Sequence, residues 1–190
     1  MNTLATYYLE NIFQRKYSVN KISRTIQTFC YGKKDDNFLY QVLVLDLDFS
    51  DKENSMNVLL KKIALVFDEL ELEITPKNTI EKVINLSFIK KRWIEVRSEI
   101  ILKNQGDELV NYCNSISKTL ENENALISFL QEKRMLGMIF NGYTESNSNF
   151  TFTDLGLLDG TLEEKTDNEN IKYTLLCLIS EKIKGHLPKN

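Results

Sequence analysis

The densest run of groups able to do chemistry is Asp46-Leu47-Asp48-Phe49-Ser50-Asp51-Lys52-Glu53. Alternation along a strand sets Asp46 and Asp48 on one face, where two carboxylates can share a divalent cation or divide acid and base roles. The Asp-x-Asp-x-Ser opening resembles an EF-hand loop, but its sixth position is Asp51, where the sharp turn needs Gly. A solvated strand end running into a helix cap is the first reading. A carboxylate-based, metal-dependent enzyme using Asp46 and Asp48 is kept as the third of three functional readings.

Other chemistries have little material. His186 is the single histidine, which removes Ser-His and Cys-His nucleophile pairs and multi-histidine zinc sites. Cys30, Cys113 and Cys177 are far apart, with no CxxC pair, so they read as free buried thiols in a reducing cytoplasm. No GxSxG, GxxxxGK or GxGxxG motif occurs, and no cofactor or metal is expected. Lys33-Lys34 and Lys90-Lys91-Arg92 are the basic clusters, and neither has stacking rings beside it except Trp93. With a net charge of −3 over 190 residues, no attraction to nucleic acid or anionic membrane is implied.

The elements that must position these groups are organised around Leu70–Lys103. Leu70-Glu71-Leu72-Glu73-Ile74-Thr75 alternates apolar and polar, the period of a half-buried strand. Pro76-Lys77-Asn78 breaks it, and Thr79–Ile84 returns as the second arm of a hairpin. Asn85 or Ser87 then caps a helix with Leu86, Ile89, Trp93, Val96 and Ile100 on one face. Ile94 and Ile101 widen that apolar arc, and Lys90 and Arg97 fall inside it.

Lys90, Lys91 and Arg92 also crowd the first turn, where the helix dipole disfavours cations by about 0.3–1 kcal/mol each. Aliphatic stems covering the core edge are one explanation; a seat for an acidic partner is the other. We assign Lys90, Lys91 and Arg92 to partner binding and Arg97 to a buried ion pair with Glu71, Glu73 or Asp48.

Along the rest of the chain, Leu4, Tyr8 and Ile12 predict a short helix over 3–15. Residues 22–49 form a hairpin, whose second strand carries Leu43, Leu45, Leu47 and Phe49 on one face and Val42, Val44, Asp46 and Asp48 on the other. Ser55 caps a helix with the stripe Leu59, Ile63, Val66 and Leu70. Gly106-Asp107 starts a helix carrying Leu109, Tyr112, Cys113, Ile116 and Leu120, and a third follows from Leu126 to Phe140. Its end, Met135–Phe140, is apolar nearly all round and is expected to be enclosed. Strands at Phe150–Thr153, Thr161–Lys165 and Ile171–Lys182 complete the chain, the last a strand unless Leu176, Leu178 and Ile183 shift it to helix, with a loop at Asp154–Gly160 and a fraying tail from Gly185.

The order α-ββ-α-ββ-ααα-βββ predicts an α+β fold, with antiparallel β-hairpins forming a sheet packed against a block of three consecutive helices. No linker divides domains, so 1–190 is read as a single domain in three parts, 1–54, 55–143 and 144–190. No signal peptide opens the sequence and no run approaches the ~20 apolar residues of a membrane span, so a cytoplasmic protein is expected.

The run Ile80–Trp93, with its strand end Ile-x-Asn and its helix motif Ile-x-x-Arg-Trp, followed by Gly106-Asp107, resembles a group of uncharacterised proteins of AT-rich bacteria over residues 56–143. The Asn, Lys and Ile bias fits such a source. The resemblance implies a shared fold and carries no activity or site residues. The leading functional expectation is a non-enzymatic bacterial protein-interaction module: an adaptor, an immunity-type inhibitor or an accessory subunit. Its partner would be another protein, acidic at the contact. The second reading is a small-molecule-binding domain with a pocket between sheet and helices.

Overall fold

The computed structural model describes residues 2–142, 151–152, 158–165 and 169–183. The expectations for His186, the tail from Gly185, Phe150 and residues 153–157 and 166–168 lie outside them. Strands β1 (Asn2–Arg15), β2 (Ser18–Lys34) and β3 (Asn37–Phe49) form a long meander. Helix α1 (Ser55–Ala64) and a 3₁₀ turn (Leu65–Phe67) lead to the hairpin β4 (Glu69–Ile74) and β5 (Ile80–Val83). Helices α2 (Leu86–Lys103), α3 (Asp107–Glu121) and α4 (Glu123–Glu132) follow, then β6 (Thr151–Phe152), β7 (Leu158–Lys165) and β8 (Asn170–Ile183). The strands lie in the order β5-β4-β3-β2-β1-β8-β7-β6, all neighbours antiparallel. The sheet is open, and the helices pack on one side of it. The α+β expectation holds.

Locally the hairpin and helix form for the reasons legible in sequence. Leu70, Leu72 and Ile74 are buried on the inner face of β4, and Asn78 takes the left-handed backbone (φ 60°) that the turn after Pro76 requires. Ile89, Trp93 and Ile100 of α2 are buried, and the Trp93 indole donates to Ser117 Oγ at 2.8 Å. Asn85 precedes α2 without capping it. Its side chain accepts from Glu71 N at 3.0 Å and donates to Glu69 O at 3.1 Å, extending the β4 ladder where β5 ends.

Three expectations are corrected. Residues 3–15 form β1, not a helix: Ala5, Tyr7, Leu9 and Asn11 are the buried set, a period of two. β1 lies between β2 and β8, whose neighbouring side chains half-cover its outer residues too. Apolar residues are therefore accepted on both faces, and the mixture imitates a helical stripe. In β3 a bulge at Leu45, where the register passes from Thr25↔Asp46 to Ile26↔Val44, resets the alternation. Val42 and Leu47 both end up buried, while Leu45 is exposed.

The third helix stops at Glu132. Arg134, Gly137 and Phe140 all have positive φ (48°, 62° and 59°), so residues 133–140 coil into turns. Leu136, Met138, Ile139 and Phe140 are buried, as the enclosed reading of this segment requires. The tight approach is made at Gly137, where a Cβ would collide with Leu9 Cδ2.

Candidate interaction surface

The alternation that buries Leu70, Leu72 and Ile74 turns Glu69, Glu71 and Glu73 to the helix-free face of the sheet. Register places Leu43, Gln41 and Leu39 of β3 directly beside them. Phe29 lies across from Gln41 on β2, and Leu4 across from Phe29 on β1. Tyr8, paired with Leu176 of β8, extends the same face. Tyr31 is the extra residue of a second bulge, between Cys30↔Tyr40 and Gly32↔Leu39. Its ring meets Phe29 edge-to-face at 4.7 Å, and its hydroxyl donates to Gln41 Oε1 at 3.0 Å. This face thus carries aromatic and aliphatic side chains interspersed with Gln41, Gln27, Thr6 and Thr25, bordered by a row of carboxylates.

A depression of about 380 Å³ on it is lined by Tyr31, Leu39, Tyr40 and Ile84, by the carboxylates Glu71 and Glu73, and by Lys34 and Lys82. Glu73 accepts from Asn37 Nδ2 at 2.7 Å, and Glu69 accepts from Gln41 Nε2 at 3.2 Å. Glu71 is exposed and has no ion-pair partner among the described residues. The local field is negative enough to act on its neighbour: burial, then Glu71 and Glu69, push the Tyr31 phenol above its ordinary range. An aromatic ring beside an unneutralised carboxylate suits an ammonium or guanidinium group.

The edge of the sheet beside this surface is closed to strand addition. Val83 N on β5 donates to Glu123 Oε1 at 2.9 Å, Thr79 bridges to Asn141, and Gly142 N donates to Asn78 O at 2.8 Å. What the sheet offers on this flank is its face.

The sequence-derived site residues fall differently. Arg92 turns inward, donating to Asp68 Oδ1 and, at 2.7 Å, to the Leu65 carbonyl; its guanidinium also lies 5.5 Å from the Phe88 ring centroid. α2 begins at Leu86, so Arg92 lies in its second turn, where the Leu65 carbonyl at the start of the 3₁₀ turn and Asp68 just past its end receive the guanidinium. Lys90 is half-buried and Lys91 exposed.

Arg97 makes no ion pair among the described residues. One terminal nitrogen donates to Asn114 Oδ1 at 3.0 Å, and its Nε is buried without a partner. The carboxylates expected for it are elsewhere: Glu71 and Glu73 are beyond the sheet, and Asp48 pairs with Lys52 at 2.7 Å. That pairing holds the Asp48 carboxyl below its usual range. Ile94 is 65% exposed and does not widen the buried arc. Cys30 and Cys113 are buried and Cys177 is partly so, and none is in a disulfide among the described residues.

Among the described residues no three His, Cys, Asp or Glu side chains cluster closely enough to hold a metal ion together, and no helix is long and apolar enough to cross a membrane. The glutamate row was visible in the sequence as the polar phase of a strand. A polar phase is ordinarily just solvated, so only the neighbours Tyr31 and Leu39 single it out. Comparison with protein-family models, curated proteins and solved structures finds no match to this chain.

Proposed function

We propose that this protein is a non-enzymatic interaction module that receives a basic segment of a partner protein across the open face of its sheet. The observation that carries this reading is Glu71, without an ion pair among the described residues, beside Tyr31 and Leu39 on the helix-free face of the sheet. The partner is therefore basic at the contact, the reverse of the polarity expected from Lys90, Lys91 and Arg92. The area is adequate. Five strands spaced by about 4.8 Å, over roughly eight residues each, present on the order of 600 Å², approaching the ~800 Å² per partner of an ordinary stable interface. Carboxylates at the border contribute mainly to encounter rate and orientation, and the aromatic and aliphatic side chains to lifetime.

The test is a titration of the full chain with a short Arg- and Lys-containing peptide, followed by amide and side-chain NMR. Movement confined to Tyr31, Leu39, Glu71, Glu73 and their strand neighbours is expected, and Glu71→Lys with Glu73→Lys should abolish it. In parallel, the same double reversal should end capture of the cellular partner, while Lys90→Glu with Lys91→Glu leaves it intact. The opposite pattern would move the contact to α2 and remove this proposal.

A further inference from the structure

A second site lies on the opposite, helix-covered side of the sheet and does not depend on the partner-binding face. Arg24 follows the inner phase of β2 set by Ile26, Thr28 and Cys30, so its side chain enters the layer between sheet and helices. There it separates two cavities of about 130 Å³ each. Both are walled by Arg24, Leu47, Ala64, Phe67 and Met135.

Nothing among the described residues neutralises this cation. Its one hydrogen bond is a long one, 3.4 Å, to the carbonyl of Arg134. Two carboxylates also line the first cavity, but Asp68 is held by Arg92 and Asp46 is exposed at the rim, with neither within ion-pair distance of Arg24. Burial lowers the guanidinium pKa to about 10, and no carboxylate contributes to raise it. A charge set among aliphatic and aromatic side chains carries a desolvation cost that a bound anion would offset.

We propose that this cleft binds a small apolar monocarboxylate, its carboxylate on the Arg24 guanidinium and its hydrocarbon body between Leu47, Phe67 and Met135. The planar fork of Arg matches a carboxylate in two parallel hydrogen bonds. Phosphate would need more donors than a single guanidinium and a peripheral Lys61 provide. The volume suits one small ring or a short branched chain, since cavities of about 150 Å³ accommodate benzene.

The experiment uses benzoate as probe, with benzyl alcohol, acetate and inorganic phosphate as comparisons, on the full chain. Benzoate at millimolar concentration should raise Tm in a concentration-dependent manner and shift the Arg24 Nε–Hε resonance. Benzyl alcohol and acetate should each do so at least tenfold more weakly. Arg24→Met should lose the benzoate response and Arg24→Lys should weaken it. The resonance shift in the unsubstituted protein decides the matter even if Arg24→Met folds poorly. No Tm rise and no shift with benzoate overturns the proposal. Equal responses to benzoate and benzyl alcohol, or a response to phosphate alone, overturn it too.

Discussion

Replacing Gly137 by Ala tests how the 133–140 turns are seated on the sheet. The substitution asks an L residue to hold φ 62° and places a methyl group against Leu9 Cδ2. The left-handed backbone costs about 1–2 kcal/mol, and overpacking a filled site costs about 1–3 kcal/mol. The expected loss is therefore roughly 2–5 kcal/mol, which lowers Tm by about 5–15 °C for a chain of this length. Urea denaturation of Gly137→Ala, Leu9→Ala and the double variant separates the two contributions. Leu9 is 2% exposed, so Leu9→Ala alone should cost about 2–5 kcal/mol. In the double variant the collision is gone, and the combined loss should fall short of additivity by about 1–3 kcal/mol. Strict additivity, or a Gly137→Ala protein as stable as the unsubstituted one, would refute the close approach. Met135 and Leu136 of the same segment wall the Arg24 cleft, so that result would also withdraw the cleft's geometry.

Arg92→Met should destabilise by about 1–3 kcal/mol in chemical denaturation, because it strands Asp68 and the Leu65 carbonyl. Lys90→Glu with Lys91→Glu should stay within about 0.5 kcal/mol of the parent, as surface changes do. The Glu10 carboxyl is held below its usual 4.5, chiefly by its hydrogen bond from Lys21 and also by Tyr8. A lowered carboxylate pKa stabilises the fold above the ordinary value, and that contribution is lost as pH falls through the folded one. The stability gap between the parent and Glu10→Gln, followed by urea melts from neutral pH downward, should therefore be full at pH 7 and vanish in acid. A gap that widens on acidification would refute the assignment.

Much of the fold was legible because it is local. Alternation in Leu70–Ile74, the break at Pro76–Asn78 and the three-and-four spacing of Ile89, Trp93 and Ile100 each report burial on one side of one element, and each formed as expected. The N-terminal strand failed that logic because β1 is central: with β2 and β8 beside it, both its phases carry apolar residues. The Leu45 bulge failed it as well, since one added residue reverses every later side chain and depends on the register with β2.

The sites divide the same way. Composition and spacing alone determined an α+β chain and the positions along it of its cations and carboxylates. Which of those groups meet was decided by the tertiary structure. Arg92 finds Asp68 across 24 residues of sequence because the 3₁₀ turn ends beside the second turn of α2. Among the described residues Arg97 finds Asn114 and no carboxylate, because the sheet stands between it and Glu71. Arg24 was an unremarked strand residue until α1 and the 133–140 turns closed over it. A flexible charged side chain reaches only several ångströms, so its partner is set by which elements pack together, and that information is not local to any stretch of sequence.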